Sequence, residues 1–179
     1  DSPESYFVHT PGLKVVMPSN PYDAKGLMIS AIRDPDPVIF FEPKKVYRAI
    51  KQEVPEKEYL IPIGKAKIVK EGSDVTLITY GATVKTAYEA VQHISNINVE
   101  IIDLRSLKPM DTETIINSVK KTGRLIICDT AWQTCGVSAE IAARVSSHCF
   151  KYLKAPIIRI ALPDVSTPSS EILEKVFYP

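Results

Sequence analysis

The sequence predicts an α/β protein, a mainly parallel sheet covered by helices on both faces, preceded by the tail of a second α/β domain. Three observations carry this reading. From Asp74 onward, short apolar runs alternate with segments whose apolar residues recur at three-and-four spacing. A single strand-helix-strand pattern stands ahead of them, between Leu13 and Pro43. Between the two lies the polar stretch KKVYRAIKQEVPEKEY, which reads as a linker running over the surface. The division that follows is 1–48 for the end of the first domain, 49–62 for the linker and 63–179 for the second domain.

In chain order, DSPES reads as a turn and LKVVMP (Leu13 to Pro18) as a strand. Asn20 then caps a helix with Pro21 behind it, where a missing N–H costs nothing. Ala24, Leu27, Met28, Ala31 and Ile32 mark that helix's apolar face, and VIFFEP (Val38 to Pro43) is the next strand. Two strands and one helix are only a fraction of a layer, so the rest of that layer is expected to lie elsewhere. In the second domain DVTLITY (Asp74 to Tyr80) is a buried strand ended by Gly81, followed by a helix with Val84, Ala87, Tyr88 and Val91 on one side. NVEIIDL (Asn98 to Leu104) is a strand, Asp111 caps a helix carrying Ile115, Ile116 and Val119, and Gly123 closes it before RLIICD (Arg124 to Asp129). Gly136 opens a helix with Val137, Ile141 and Val145 on one face, IIRIAL (Ile157 to Leu162) is a strand, and Ser169 or Ser170 caps a last helix holding Ile172, Leu173 and Val176.

Composition narrows the function classes. The 179 residues, 45% hydrophobic and 24% charged, suffice for a buried core, and the chain has no low-complexity tract. Twenty-two Lys and Arg against 21 Asp and Glu leave a net charge of +1, which gives no field to recruit nucleic acid or an anionic membrane. No apolar stretch approaches the roughly 20 residues of a spanning helix. Cys128, Cys135 and Cys149 are odd in number and lack paired ligand spacing, which fits a reducing compartment, the cytoplasm or an organelle matrix. Starting at Asp1 in a turn, with an incomplete first layer behind it, the chain reads as a truncated piece.

Ligands of open parallel sheets bind outside the carboxyl ends of the strands. That rule singles out Gly81-Ala82-Thr83, Asp103-Leu104-Arg105, Asp129-Thr130-Ala131-Trp132 and Pro163-Asp164. Asp103, Arg105, Asp129 and Asp164 are suited to orienting a cationic group, but helix capping and mutual pairing explain them more simply. No catalytic and no cofactor-binding residue is assigned. Gly81 lacks the companion glycines of a dinucleotide fingerprint, and His9, His93 and His148 have no zinc spacing. No G-x-S-x-G elbow is present. Cys128 and Cys149 read as small hydrophobes, and Cys135 as an inert thiol at a helix start. The turn Arg33-Asp34-Pro35-Asp36-Pro37 offers carbonyls and two carboxylates, an oxygen environment suited to a group I or II cation, against the plainer reading of a proline-shaped turn.

SPESYFVHTPGLKVVMPSNPYDAKGLMISAIRDPDPVIFFEPKKVYR resembles the end of the pyrimidine-binding domain of beta subunits of pyruvate and branched-chain 2-oxo acid dehydrogenases. EGSDVTLITYGATV, VEIIDLRSLKPMD, KKTGRLIICD, CGVSAEIAARV and TPSSEILEKVFYP resemble, in order, blocks of the transketolase carboxy-terminal domain of the same subunits. The resemblance implies a transketolase-C-like fold for 63–179 and a tetramer of two alpha and two beta subunits. It implies thiamine diphosphate and magnesium, held in the full enzyme and not by this chain alone, with an activating glutamate and a histidine both before Asp1. The reaction implied is oxidative decarboxylation of a 2-oxo acid with acyl transfer to the lipoyl arm of an acyltransferase core component. The carboxy-terminal domain would build the contact with a second copy and help dock that component. Branched-chain members imply a potassium ion at Ala31, Asp34 and Asp36. The chain departs from the pattern at Asp129-Thr130-Ala131, where His-Glu-Ala is common, at Thr134-Cys135-Gly136, where Thr-Gly-Gly is common, and at Ser166, where proline is common. Other readings are a stand-alone docking module with the same fold, or a subunit of a transketolase or acetoin-cleaving enzyme.

Overall fold

The computed structural model describes residues 2–178. The chain opens with a short helix α1 (Glu4–His9), then β1 (Lys14–Val16), α2 (Pro21–Arg33) and β2 (Val38–Phe40). After one 3-10 turn at Lys44–Val46 the second unit runs β3 (Lys67–Lys70), β4 (Val75–Thr79), α3 (Thr83–Gln92), β5 (Val99–Asp103), β6 (Ser106–Lys108), α4 (Thr112–Thr122), β7 (Leu125–Trp132), α5 (Val137–Cys149), β8 (Ile158–Leu162) and α6 (Glu171–Phe177). The strands form a five-stranded sheet, order β3-β5-β4-β7-β8, and a three-stranded sheet, order β2-β1-β6.

The large sheet is parallel except for β3, which pairs antiparallel with β5 at its edge. Alternation splits its side chains between two layers. Ile101 and Val99 turn to α3 and meet Val91, while Ile78, Ile102, Leu125 and Ile127 turn to α4 and α5 and meet Ile115, Val119, Ile141 and Val145. Burial on both faces explains why β5 reads as a continuous apolar run with only Glu100 and Asp103 interrupting it.

The helix ends follow their local chemistry. Asn20 accepts a bond from the Asp23 amide, and Asp111 accepts one from the Thr114 amide. Gly123 closes α4 at φ 71, a left-handed value that suits a residue without Cβ. Gly136 and Ser170 occupy the N-cap positions of α5 and α6, though the Ser170 side chain makes no capping bond.

Four elements differ from the sequence reading. DSPES is not merely a turn, because Glu4 begins α1. An unforeseen strand joins the first layer from the second unit: β6 pairs antiparallel with β1. A three-residue strand is too short to show alternation, which is why β6 escapes detection. β3 hides in KIVK, whose lysines mark an exposed edge rather than a loop. β7 runs three residues further than Asp129, because pairing with β8 resumes at Trp132 after a register shift.

Asp111 joins this fold locally: its carboxylate accepts the Ala66 amide at 3.0 Å, the Thr114 amide at 3.3 Å and the Thr114 hydroxyl at 2.9 Å. Burial pushes its pKa up, but these hydrogen bonds outweigh it and leave the carboxyl below its ordinary 3.8. Asp111→Ala is expected to lower stability by about 1–2 kcal/mol at neutral pH. The stability that Asp111 supplies is present above the ordinary value and is lost as pH falls through the depressed one. Urea melts of both proteins at pH 7 and in acid check this, the difference shrinking in acid.

Candidate functional site

Arg105 stands between β5 and β6 at φ 55, a backbone state that a side chain disfavours. Every polar group of the residue has work there. Its amide donates to Asp103 Oδ1 at 3.0 Å, and its carbonyl accepts the Met17 amide at 2.8 Å. The guanidinium donates to the Lys65 and Ala66 carbonyls and reaches the fully buried Asp23 at 3.3 Å. Asp23 is held from the other side by Asn20 Nδ2 at 2.7 Å, and the Ser19 hydroxyl donates to Asp103. Burial pushes the Asp103 carboxyl up to about 7, with Ser19 and the Arg105 amide pulling down and the neighbouring Asp23 adding to the rise. Asp103 and Arg105 are thus brought together, in a network that pins the start of α2 to the end of β5.

Around this pin, the carboxyl ends of β1, β2, β4 and β7 converge on a cavity of about 910 Å³. Met17, Phe41, Pro43, Ala82 and Thr130 line it, with Glu4 of α1 and Tyr178 beyond α6. Gly81 at φ 57 lets the chain pass the Met17 side chain, since a Cβ there would strike the sulfur. The strand-end rule therefore locates a cleft shared by both units, not a site within one. Asp129 lies beside it, fully buried, and accepts the Ala131 amide at 3.1 Å and the Ser138 amide at 3.2 Å at the amino end of α5. Burial raises the Asp129 pKa against these bonds. Burial also lifts Glu4 to about 7, with Asp129 adding to the rise, and raises Tyr80 well above its ordinary value.

The other expected residues fall into separate places. Asp164 accepts the Thr134 amide at 3.2 Å, and Trp132 Nε1 donates to the Val165 carbonyl at 2.9 Å, so these fasten two loops together. Cys149 is buried, Cys128 half-buried and Cys135 exposed at φ 55. Burial pushes the Cys128 thiol up to about 11. His9 ends α1, His93 caps α3, and His148 Nδ1 lies 2.8 Å from the Arg144 carbonyl oxygen, far apart in the chain's elements. Ala31, Asp34 and Asp36 do share one turn after α2. The Asp34 amide donates to the Ala31 carbonyl at 3.4 Å, and Asp34 Oδ1 accepts the Asp36 amide at 2.9 Å. Lys14 Nζ holds both carboxylates, at 2.7 and 2.8 Å to Asp34 and 3.0 Å to Asp36. The Lys14 ammonium keeps Asp34 below its usual range, and Asp34 and Asp36 raise Lys14 in return.

Glu4, Tyr80, Ser19 and Asp23 are the polar residues that the sequence reading passed over. Asp23 carried a usable signal: Asn20 and Asp23 are spaced as a capping box, N-cap to third position. Glu4 gave none, since its burial depends on contacts more than a hundred residues away. Among the described residues, no three His, Cys, Asp or Glu side chains converge as a metal site would require.

Two α/β units locked by a buried polar pin, with a cleft at their shared strand ends, define a protein built on the transketolase plan. Residues 64–179 match the family model for the transketolase C-terminal domain, and residues 2–50 match that for the transketolase pyrimidine binding domain. The chain belongs to the transketolase C-terminal domain family. It is 52% identical over 181 residues to the mitochondrial 2-oxoisovalerate dehydrogenase subunit beta of Dictyostelium discoideum, covering 99% of this chain and 48% of that protein. It is 47% identical to the pyruvate dehydrogenase E1 component subunit beta of Bacillus subtilis, covering 100% of this chain and 55% of that protein. A solved structure described as a split gene transketolase, inactive beta4 tetramer, superposes with a TM-score of 0.78 at 23% identity, over 96% of this chain and 54% of that one. At that identity the likeness speaks for the fold. The chain spans about half the length of the curated relatives it matches.

Arg105→Met is expected to cost about 3–5 kcal/mol, because it removes the cation beside the buried Asp23 and leaves it only the Asn20 amide as a donor. A urea midpoint matching that of the unaltered chain would show that the pin does not hold the two units.

Proposed function

We propose that the chain is part of the beta subunit of a 2-oxo acid dehydrogenase first component, which oxidatively decarboxylates a 2-oxo acid and passes the acyl group to a lipoyl carrier. The observation that carries this is likeness over almost the whole chain, at 45–52%, to beta subunits of pyruvate and branched-chain enzymes. The domain division 1–48, 49–62 and 63–179 goes with this reading and is supported by the two family matches. Thiamine diphosphate with magnesium would supply the carbanion chemistry. The residues that hold them are assigned to the rest of the enzyme, since Glu4, Asp103 and Asp129 are engaged or buried and do not cluster around a metal.

In this reading the present segment assembles the enzyme. The pin at Arg105 fixes the two units, and the outer surface meets the alpha subunit, a second copy of the chain and the lipoyl acyltransferase core. Exposed Ile158 and Ile160 on β8, and Ile172, Leu173 and Val176 on α6, supply apolar area for such contacts. Among the described residues, no helix is long and apolar enough to cross a membrane. The compartment proposed is the cytoplasm, or the mitochondrial matrix in a eukaryote, as for the Dictyostelium relative named mitochondrial.

Potassium at the turn of Ala31, Asp34 and Asp36 belongs to the same proposal. Lys14 already occupies the two carboxylates, so the ion would rest on main-chain carbonyl oxygens of the turn. At potassium about ten times its Kd, a Tm higher by about 3 °C than in sodium at equal ionic strength is expected. Identical melts in the two salts would assign the turn to Lys14 alone.

Activity is tested with the complete beta subunit assembled with alpha, assayed on pyruvate and on branched-chain 2-oxo acids. Decarboxylation of one of these by the assembly, and none by the 179-residue chain alone, is expected. Turnover by the isolated chain would overturn the assignment of the chemistry to other residues.

A further inference from the structure

Glu4 is 3% exposed, and its Oε2 has no hydrogen-bond partner. The Tyr80 hydroxyl, also buried, has none either. Both lie beside Asp129, which is 0% exposed and spends its oxygens on the Ala131 and Ser138 amides. Two carboxyls and a phenol thus share one dry region between α1 of the first unit and the sheet of the second. With both carboxyls ionised, two like charges would stand out of water and Glu4 Oε2 would lack a partner, whereas a proton on Glu4 removes one of the charges.

The surroundings do not replace that proton. On β8, Arg159 faces Asp129, but its guanidinium donates to Ser138 Oγ at 3.2 Å and to the Gln133 carbonyl. On β7, Cys128 and Thr130 adjoin the set, and Thr130 Oγ1 lies 3.1 Å from Ser2 Oγ. At the cavity mouth three lysines, Lys44, Lys45 and Lys175, are matched by three glutamates, Glu42, Glu171 and Glu174. Besides that set, the helix that carries Glu4 is held by Phe7 and Val8, which are half-buried against the main core. It has six residues and no side-chain cap, and it is tied by the edge-on contact of Phe7 with Phe41 and by Lys108 Nζ on the Val8 and Thr10 carbonyls.

We propose that Glu4, Tyr80 and Asp129 form a proton-sharing latch that fastens α1 to the second unit while it holds its proton and loosens α1 when it loses it. Below neutrality the latch is closed; toward pH 8.5 α1 opens locally while the sheet stays folded. The latch sits on the wall of the shared cleft, so its state sets how tightly that wall is closed.

Amide hydrogen exchange of the 179-residue chain at pH 6 and pH 8.5, corrected for intrinsic rates, tests it. Protection of α1 relative to β5 is expected to fall by roughly tenfold or more across this range, and to stay constant in Glu4→Gln, which keeps shape and cannot ionise. Equal loss in both proteins, or no loss in the unaltered chain, would overturn the proposal. Infrared spectra give a second reading: a protonated buried carboxyl band present at pH 6 and gone by pH 8.5 in the unaltered chain, and reduced in Glu4→Gln, where only the Asp103 contribution stays. Its absence at pH 6 would overturn the latch equally.

Discussion

The antiparallel pairing of β1 with β6, clamped by Arg105, is the constraint on which the rest of the molecule depends. Without it the first unit would be two strands and a helix with open edges, and such a fragment has no independent stability. β6 covers one edge of β1, and the Met17 amide continues the pairing onto the Arg105 carbonyl. For this, the chain must reverse between Asp103 and Ser106, and the reversal places Arg105 in the left-handed region. Such a conformation costs of order 1–3 kcal/mol and persists when its surroundings over-determine it. Here they do, through bonds from every polar group of the residue.

The polar character of the pin has a physical reason. An apolar junction of similar volume would be as stable or more so, since desolvating Asp23 and Arg105 costs much of what their attraction returns. What directed bonds add is a single register. The planar guanidinium meets the Lys65 and Ala66 carbonyls and Asp23 at fixed angles, so α2 cannot slide along β5 without breaking several bonds at once. The cleft inherits that precision, because Met17 follows the pinned segment directly and packs on Gly81, where no side chain stands in the way.

Much of this was legible in the sequence, and the part that was not has a common cause. The core strands and helices of the second unit follow from periodicity, and the caps at Asn20, Asp111 and Gly123 follow from side-chain chemistry acting within four residues. Asp103 and Arg105 could be singled out from their place at a strand end, although their partners Ser19 and Asp23 were not named. What failed to show was long-range. β6 is three residues long and is a strand only because β1, ninety residues earlier, pairs with it. Glu4 looks like an exposed turn acid, and nothing near it in sequence reports that it is buried beside Asp129. Residues 31–36 show the intermediate case: their oxygen-rich turn was visible, but the ammonium that holds its carboxylates comes from Lys14 across the β1–β2 pair.

A position two residues before the end of a strand's buried face is a poor place for a carboxylate unless its oxygens are used, and Asp129 uses them to satisfy amides at Ala131 and at the start of α5. That capping role favours the carboxylate, since both amides donate to it and draw its pKa down against burial. The shared proton therefore rests on Glu4, whose Oε2 has no other partner, rather than on Asp129. Asp23 differs in its partner, the Arg105 guanidinium at 3.3 Å. The two units are thus joined by acids of opposite kinds, one fixed by a cation and one left to protons, and it is their different partners, not their residue type, that separates a rigid pin from a responsive wall.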